Sequence, residues 1–212
     1  MSLYAAIDIG SNSVRLAVAD AAPGRPYRPL AADRQVTRIG ESVFSTGKVS
    51  PKTIDATCEV LERFARQYRE WQPQAVRVVA TSALRDARNQ QEFRERAAAA
   101  VGAPVEIISG REEARLIHLG VVTRWPRREN SLLLLDIGGG SAEVTWSEQG
   151  AIRYSTSVPL GAVRLTGNFL RHDPPEPEEL LELEEYIAQQ FAASLRRLGP
   201  RRAPPQELRS AV

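Results

Sequence analysis

The sequence predicts an α/β protein built from two copies of one lobe, each a mixed sheet with helices, the second copy shorter than the first. Three observations predict it. A strand–turn–strand segment occurs twice at a fixed interval. The elements that follow each copy begin in the same order. The pattern then ends early in the second copy.

The repeat aligns without gaps. Ala5-Ala6-Ile7-Asp8-Ile9-Gly10-Ser11-Asn12-Ser13-Val14-Arg15-Leu16 matches Leu133-Leu134-Leu135-Asp136-Ile137-Gly138-Gly139-Gly140-Ser141-Ala142-Glu143-Val144, with Asp8 and Asp136 lying 128 residues apart. Each copy is an apolar strand, then Asp-Ile-Gly, then a small polar turn ending in Ser, then an alternating strand. Two such turns with matching flanks indicate a duplicated unit.

In the first lobe, residues 14–20 and 27–39 read as further strands. Ser50 and Pro51 open a helix, since Ser is a good N-cap and Pro suits the first turn. Ile54, Val60, Leu61 and Phe64 keep helical spacing to about Trp71. A strand at 75–80, a helix near 89–100, a strand at 104–108 and a helix over 111–123 follow. The order is βββαβαβα.

The second lobe starts likewise. Strands are expected at 132–136, 142–148 and 151–158, with Glu148-Gln149-Gly150 as a hairpin turn. A helix runs from about Glu176 to Leu198, opening with acids that favour the positive end of its dipole. The first lobe spends 128 residues on its unit, whereas 129–212 offers 84. The Pro- and Arg-rich segment after Gly199 reads as a linker or disordered tail. The expected organisation is 1–126 for the first lobe, 127–198 for a partial second lobe (βββα) and 199–212 for the tail. An incomplete second lobe implies a truncated product, or a lobe finished by another chain.

Composition is that of a soluble globular protein: 42% hydrophobic, 25% charged, 6% aromatic, net charge +2. That balance requires no nucleic-acid partner. Every basic residue except Lys48 and Lys52 is arginine. Coding bias explains most of this, although guanidinium forks also suit phosphate oxygens. The single cysteine, Cys58, cannot form an internal disulfide and fits a reducing compartment. The N-terminus has no signal-peptide pattern, and no apolar stretch reaches the ~20 residues of a membrane span. A cytoplasmic location, without DNA or membrane partners, is expected.

The repeated turn points to phosphate. An Asp at a strand end followed by glycines brings bare backbone amides near a ligand, and successive N–H groups form an anion-binding concavity. Gly138, Gly139 and Gly140 leave room for close approach. Ser11, Asn12, Ser13 and Ser141 add polar groups. Asp136 and Glu143 would repel phosphate unless a divalent cation lay between, an arrangement Mg²⁺ favours. A dinucleotide-binding loop is a poorer fit, because it opens a helix and these glycines lead into a strand. No G-x-x-x-x-G-K-[ST] motif occurs.

Two Asp-Ile-Gly hairpins on duplicated βββαβαβα lobes resemble the superfamily of actin, sugar kinases and heat-shock chaperone ATPases, whose lobes are ribonuclease-H-like, with five-stranded mixed sheets and helices on both faces. Within it, the chain resembles the exopolyphosphatase/guanosine pentaphosphate phosphohydrolase (Ppx/GppA) family. The motifs are Asp-Ile-Gly-Ser-Asn-Ser at 8–13, Ala-Thr-Ser-Ala-Leu-Arg at 80–85, Ile-Ile-Ser-Gly-Arg-Glu-Glu-Ala-Arg-Leu at 107–116, Asp-Ile-Gly-Gly-Gly-Ser-Ala-Glu at 136–143 and Pro-Leu-Gly-Ala-Val-Arg-Leu-Thr at 159–166. The resemblance implies release of the terminal phosphate of inorganic polyphosphate, or of the 5′ γ-phosphate of guanosine pentaphosphate, with water and Mg²⁺ or Mn²⁺. It implies that Glu113 is the catalytic glutamate and that Arg85 reaches the phosphate chain. Asp136 and Glu143 are implied as metal-binding acids and the loops at 11–13 and 138–141 at the phosphates; Asp8 is a further candidate for the metal from its place at the first turn. It is compatible with a homodimer.

Plainer roles compete. Glu113 and Glu112 sit at a helix start, where acids stabilise the dipole whatever their function. Glu143 fits a solvated strand face. Asp8 could cap its own turn. Arg85 could pair with Asp86 or Glu113. Arg15 and Arg38 could be ordinary surface charges. A shortened, non-catalytic protein that binds polyphosphate or guanosine pentaphosphate is the alternative function. A kinase would need an adenosine pocket that the second lobe does not supply.

Overall fold

Two hairpins of the same construction organise the molecule. A computed structural model describes residues 2–125 and 131–196. In the first hairpin, β1 (Leu3–Ile9) runs antiparallel to β2 (Ser13–Asp20), with Asp8 opposite Arg15 and the Gly10 N–H donating to the Ser13 carbonyl at 3.0 Å. In the second, β6 (Ser131–Ile137) runs antiparallel to β7 (Ala142–Glu148), with Asp136 opposite Glu143 and the Gly138 N–H donating to the Ser141 carbonyl at 2.9 Å. The repeat in the sequence is thus a repeat in backbone geometry, with the same register and the same turn bond.

The first sheet has strand order β3-β2-β1-β4-β5, where β3 is Arg28–Val36, β4 Ala75–Ala80 and β5 Val105–Ile107. β4 lies parallel to β1 and to β5, so the sheet is mixed. Alternation in β1 and β2 turns Ala5, Ile7, Ile9, Val14, Leu16 and Val18 to one face. There they join Ile54, Leu61 and Phe64 of α2 (Pro51–Glu70) and Phe93, Ala97 and Val101 of α4 (Gln90–Val101) in one core. Full burial of a side chain such as Phe64 contributes roughly 1.5–3 kcal/mol. Ser50 caps α2 by accepting from the Thr53 N–H at 3.1 Å, and Pro51 occupies the first turn. The strands and helices expected of 1–125 are present within a few residues of the bounds read from sequence.

Three short helices are additional: α1 (Ile39–Thr46), α3 (Ser82–Asp86) and α6 (Ala162–Phe169). The expected strand over 27–39 ends at Val36, because the Thr37 and Arg38 N–H groups both turn to the Asn12 carbonyl at 3.0 Å and lead the chain into α1. α1 and α6 each follow the third strand of their lobe, and they pack against each other across the lobe boundary.

The second sheet has order β6-β7-β8, with β8 at Ala151–Val158. α7 (Pro177–Leu195) packs against β8 and α6. α5 (Gly110–Arg124), which the sequence counts with residues 1–126, packs across β7 and β8 of this second sheet. The repeat also marks an uncovered face. Ala5, Ile7 and Ile9 are at most 3% exposed, whereas their counterparts Leu133, Leu135 and Ile137 are 36%, 54% and 60% exposed. Among the described residues, β6 is one of the two edges of its sheet. The tail at 199–212 lies outside the described residues. No described helix is long and apolar enough to cross a membrane.

Candidate active site

The two turns of the repeat meet. A Cβ added to Gly140 would come within 2.5 Å of Ser11 Oγ, 2.6 Å of Phe44 and 2.7 Å of Ser82 Oγ. One on Gly139 would lie 3.2 Å from the Asn12 nitrogen. Only glycine lets the second loop press this closely on the first. Above the junction opens a cleft of ≈ 290 Å³, lined by Asp8, Ser11, Asn12, Ser13, Glu113, Asp136 and Gly138 through Ser141, with Arg15, Arg34, Thr81 and Ser82. Ten of the twelve residues singled out from sequence therefore line one cleft.

The remaining two, Arg85 and Glu143, lie behind its wall. Arg85 donates from Nη1 to Glu113 Oε2 at 2.8 Å and to the Ile108 carbonyl at 3.0 Å, and its Nη2 lies 3.5 Å from Ser141 Oγ. Glu143 is 2% exposed, not on a solvated strand face, and its Oε1 accepts from Ser157 Oγ at 2.7 Å. α5 brings Glu113 to the cleft from its first turn, where Ser109 caps the helix by accepting from the Glu112 N–H at 3.2 Å.

Some predicted serines are already engaged. Ser11 Oγ accepts from the Ala83 N–H at 3.2 Å, and Ser13 Oγ accepts from Arg34 Nε at 3.2 Å. Both oxygens act as acceptors in these bonds, which braces the loop and leaves the O–H groups, with the backbone N–H groups, as donors for an anion.

Three carboxylates here, Asp8, Glu113 and Glu143, are held above their ordinary range. Burial pushes Asp8 up to about 6; Glu113 and Asp136 add to the rise, and Arg15 opposes it. Burial likewise pushes Glu143 up to about 7, with Glu113 raising it further against the hydrogen bonds from Ser157 and Ser141. Glu113 is raised by burial, against the pull of Arg85. Acids that resist ionising together form a site where added positive charge is favourable. Among the described residues, no three His, Cys, Asp or Glu side chains converge as a ready cage. The donors therefore fit a cation that takes one or two carboxylates and completes its shell with water and substrate oxygens, as Mg²⁺ does. Asp136 and Asp8, which line the cleft, could hold it, with Glu143 adding its carboxylate from behind the wall.

Sequence reasoning missed Thr81, Ser82, Arg34 and Arg164, and set Arg15 aside. Strand register explains two of them. Asp8, Arg15 and Arg34 form one cross-strand row over β1, β2 and β3, as Asp136, Glu143 and Ser157 do over β6, β7 and β8. A larger cavity of ≈ 390 Å³ between α1 and α6 has Glu41 as its one charged side chain and gathers no set of acids.

A protein-family model, the Ppx/GppA phosphatase family, matches residues 17–201. The chain belongs to the Ppx/GppA phosphatase family. Among curated Ppx/GppA relatives, exopolyphosphatase 2 of Mycobacterium tuberculosis is 34% identical over 204 residues, covering 92% of this chain and 64% of that protein. A solved exopolyphosphatase from Cytophaga hutchinsonii superposes with a TM-score of 0.87 at 26% identity, covering 94% of this chain and 64% of the other. The Aquifex aeolicus Ppx/GppA enzyme gives a TM-score of 0.73 at 34% identity, covering 90% and 63%. The architecture is that of the actin-like ATPase fold. The chain spans under two thirds of the length of these relatives.

Proposed function

We propose that this chain forms the catalytic cleft of a phosphohydrolase that releases the terminal phosphate of inorganic polyphosphate. The observation that carries the reading is the meeting of two Gly/Ser turns at the base of one cleft, with Glu113 and Asp136 facing into it.

Phosphoryl transfer to water needs an aligned nucleophile and neutralised phosphate charge. Glu113 orients the attacking water and accepts its proton; burial, by raising its proton affinity, suits it to that task. Backbone N–H groups of the loops at 11–13 and 138–141 bind the transferring group in fixed geometry. Asp136 and Glu143, with Asp8 nearby, would hold Mg²⁺, which when bound would offset phosphate charge. Arg85 now pairs with Glu113 at 2.8 Å, and shifts to the phosphate chain when substrate enters. Guanosine pentaphosphate presents the same terminal group and is the second substrate proposed. Binding without turnover is the competing reading, favoured by that same ion pair, which occupies both the base and the chain-binding arginine.

The test is phosphate release from polyphosphate and from guanosine pentaphosphate with Mg²⁺, for wild type and Glu113→Gln. Loss of a general base predicts a fall of about 10²–10⁴-fold with binding retained. Equal rates in the two proteins would remove Glu113 from the chemistry. Binding with no release by wild type would favour the competing reading.

A further inference from the structure

The Arg164 side chain, on α6, makes four contacts at the point where the lobes meet. Its Nε donates to the Gly140 carbonyl at 2.7 Å. Its Nη2 donates to Ser82 Oγ at 3.3 Å and to Asp86 Oδ2. The guanidinium carbon sits 4.0 Å from the centroid of the Phe44 ring. Gly140 belongs to the second lobe, whereas Ser82, Asp86 and Phe44 belong to the first. The side chain is 16% exposed.

The partner that matters is the Gly140 carbonyl. In a trans peptide the C=O and the following N–H point in opposite directions within one plane. Holding the Gly140 carbonyl therefore sets the direction of the Ser141 N–H. Rotating that plane turns ψ of Gly140 and φ of Ser141; Gly140 leaves its side free and Ser141 restricts the other, so the plane is loosened on one side only. The Gly138–Ser141 turn bond uses the Ser141 carbonyl, in the next peptide unit, and does not restrain it. The α6 backbone already holds the two preceding carbonyls, Ala162 N–H donating to Gly138 at 2.9 Å and Arg164 N–H to Gly139 at 3.1 Å, which leaves the Gly140 carbonyl to a side chain. A fork clamped by Asp86, Ser82 and an aromatic face supplies an anchor that cannot swing.

We propose that Arg164 is a positioning residue: it fixes the Gly140–Ser141 peptide so that the Ser141 N–H is presented as a preorganised donor to the terminal phosphate. This rests on the phosphohydrolase reading for its consequence, but not for its geometry. A donor that stabilises only the transferring group acts on kcat. Removing one such donor elsewhere lowers kcat by about 10²–10³-fold, so Arg164→Gln is expected to lower kcat by about 100-fold with KM changed little. Arg164→Lys keeps the charge but not the fork, and recovers a small part of that loss. Asp86→Asn breaks the ion pair while leaving the Gly140 bond, and costs less than about 5-fold.

Two readouts test it. The first is steady-state phosphate release from polyphosphate by wild type and the three variants, with unfolding temperatures as a folding control. Equal losses in Arg164→Gln and Asp86→Asn, or a loss confined to KM, would overturn the anchor in favour of a simple tether between lobes. The second needs no activity: the amide resonances of Gly139, Gly140 and Ser141 in ¹H–¹⁵N spectra. Wild type is expected to give one sharp set, and Arg164→Gln broadened or doubled signals confined to 138–141, because the freed peptide flips. Sharp single signals in Arg164→Gln would sink the inference even if the enzyme were active. Absence of phosphate release by wild type would sink the functional reading and leave this measurement standing.

Discussion

Gly161→Ala tests the junction between the lobes and their loops with the smallest possible change. Gly161 precedes α6, and its φ of −85° and ψ of 147° suit alanine as well as glycine, so backbone strain plays no part. A Cβ there would overlap the Gly140 nitrogen and the carbonyl carbons of Gly139 and Gly140. All three are backbone atoms, so no side chain can turn aside. Ordinary contact needs about 3.5 Å, so the 138–141 loop and the start of α6 must part by roughly 1 Å. Overpacking of that kind costs about 1–3 kcal/mol, and the poorer capping by alanine adds to it. For a protein of this size about 2 kcal/mol lowers the unfolding temperature by about 4–8 °C. A loop displaced by roughly 1 Å at a reacting centre is expected to lower phosphate release by about 100-fold. Gly167→Ala is the control. It lies on the same helix with nothing within 4 Å of an added methyl group, and gains about 0.5–1 kcal/mol from lower chain entropy. Circular dichroism melts and a phosphate-release assay of both variants decide the matter. If Gly161→Ala melts with wild type, or both alanines behave alike, the close packing of Gly161 on the loop is wrong.

Glu179 gives the pH dependence. Burial raises its carboxyl, but the Arg171 and Glu176 N–H groups and the His172 imidazole outweigh this and bring it to about 2. A depressed carboxyl contributes stability above its unfolded value near 4.5, and that contribution is lost as pH falls toward 2. The melting temperature of wild type is therefore expected to fall more steeply over that window than that of Glu179→Gln; parallel curves would refute it. Mg²⁺ at millimolar concentration is expected to raise the unfolding temperature near pH 8, where the cleft acids are ionised, and EDTA to reverse the rise.

The long elements were legible because each carries a periodicity over enough residues. α2 shows its apolar face five times over, and β7 reads directly from alternation. α1, α3 and α6 are of eight residues or fewer, too short for a face to repeat, and each owes its place to neighbours: α1 and α6 to one another, α3 to the Ser11 hydroxyl. The hairpin around Ser11 and Asn12 fixed Asp8 opposite Arg15, so Arg15 could have been placed in the cleft from sequence. Arg34 could not, because the turn between β2 and β3 and the irregularity at Val18/Ala19 leave that register open. Arg164 was unreadable for a different reason. Its partners lie 24, 78 and 82 residues away, and only the closed junction brings them together.

The repeat is symmetric in backbone but not in charge, and that difference has a consequence for the cation. The position opposite Asp8 is Arg15, while the position opposite Asp136 is Glu143. On the first lobe the acid has a basic neighbour that lowers its need for a counter-ion. On the second lobe the neighbour is a second acid, buried and pushed up to about 7. Positive charge is therefore worth more beside Asp136 than beside Asp8. Asp136→Asn should abolish most of the Mg²⁺-induced rise in unfolding temperature, and Asp8→Asn should keep most of it. The reverse order would place the cation on the first lobe and break the link between strand register and metal preference.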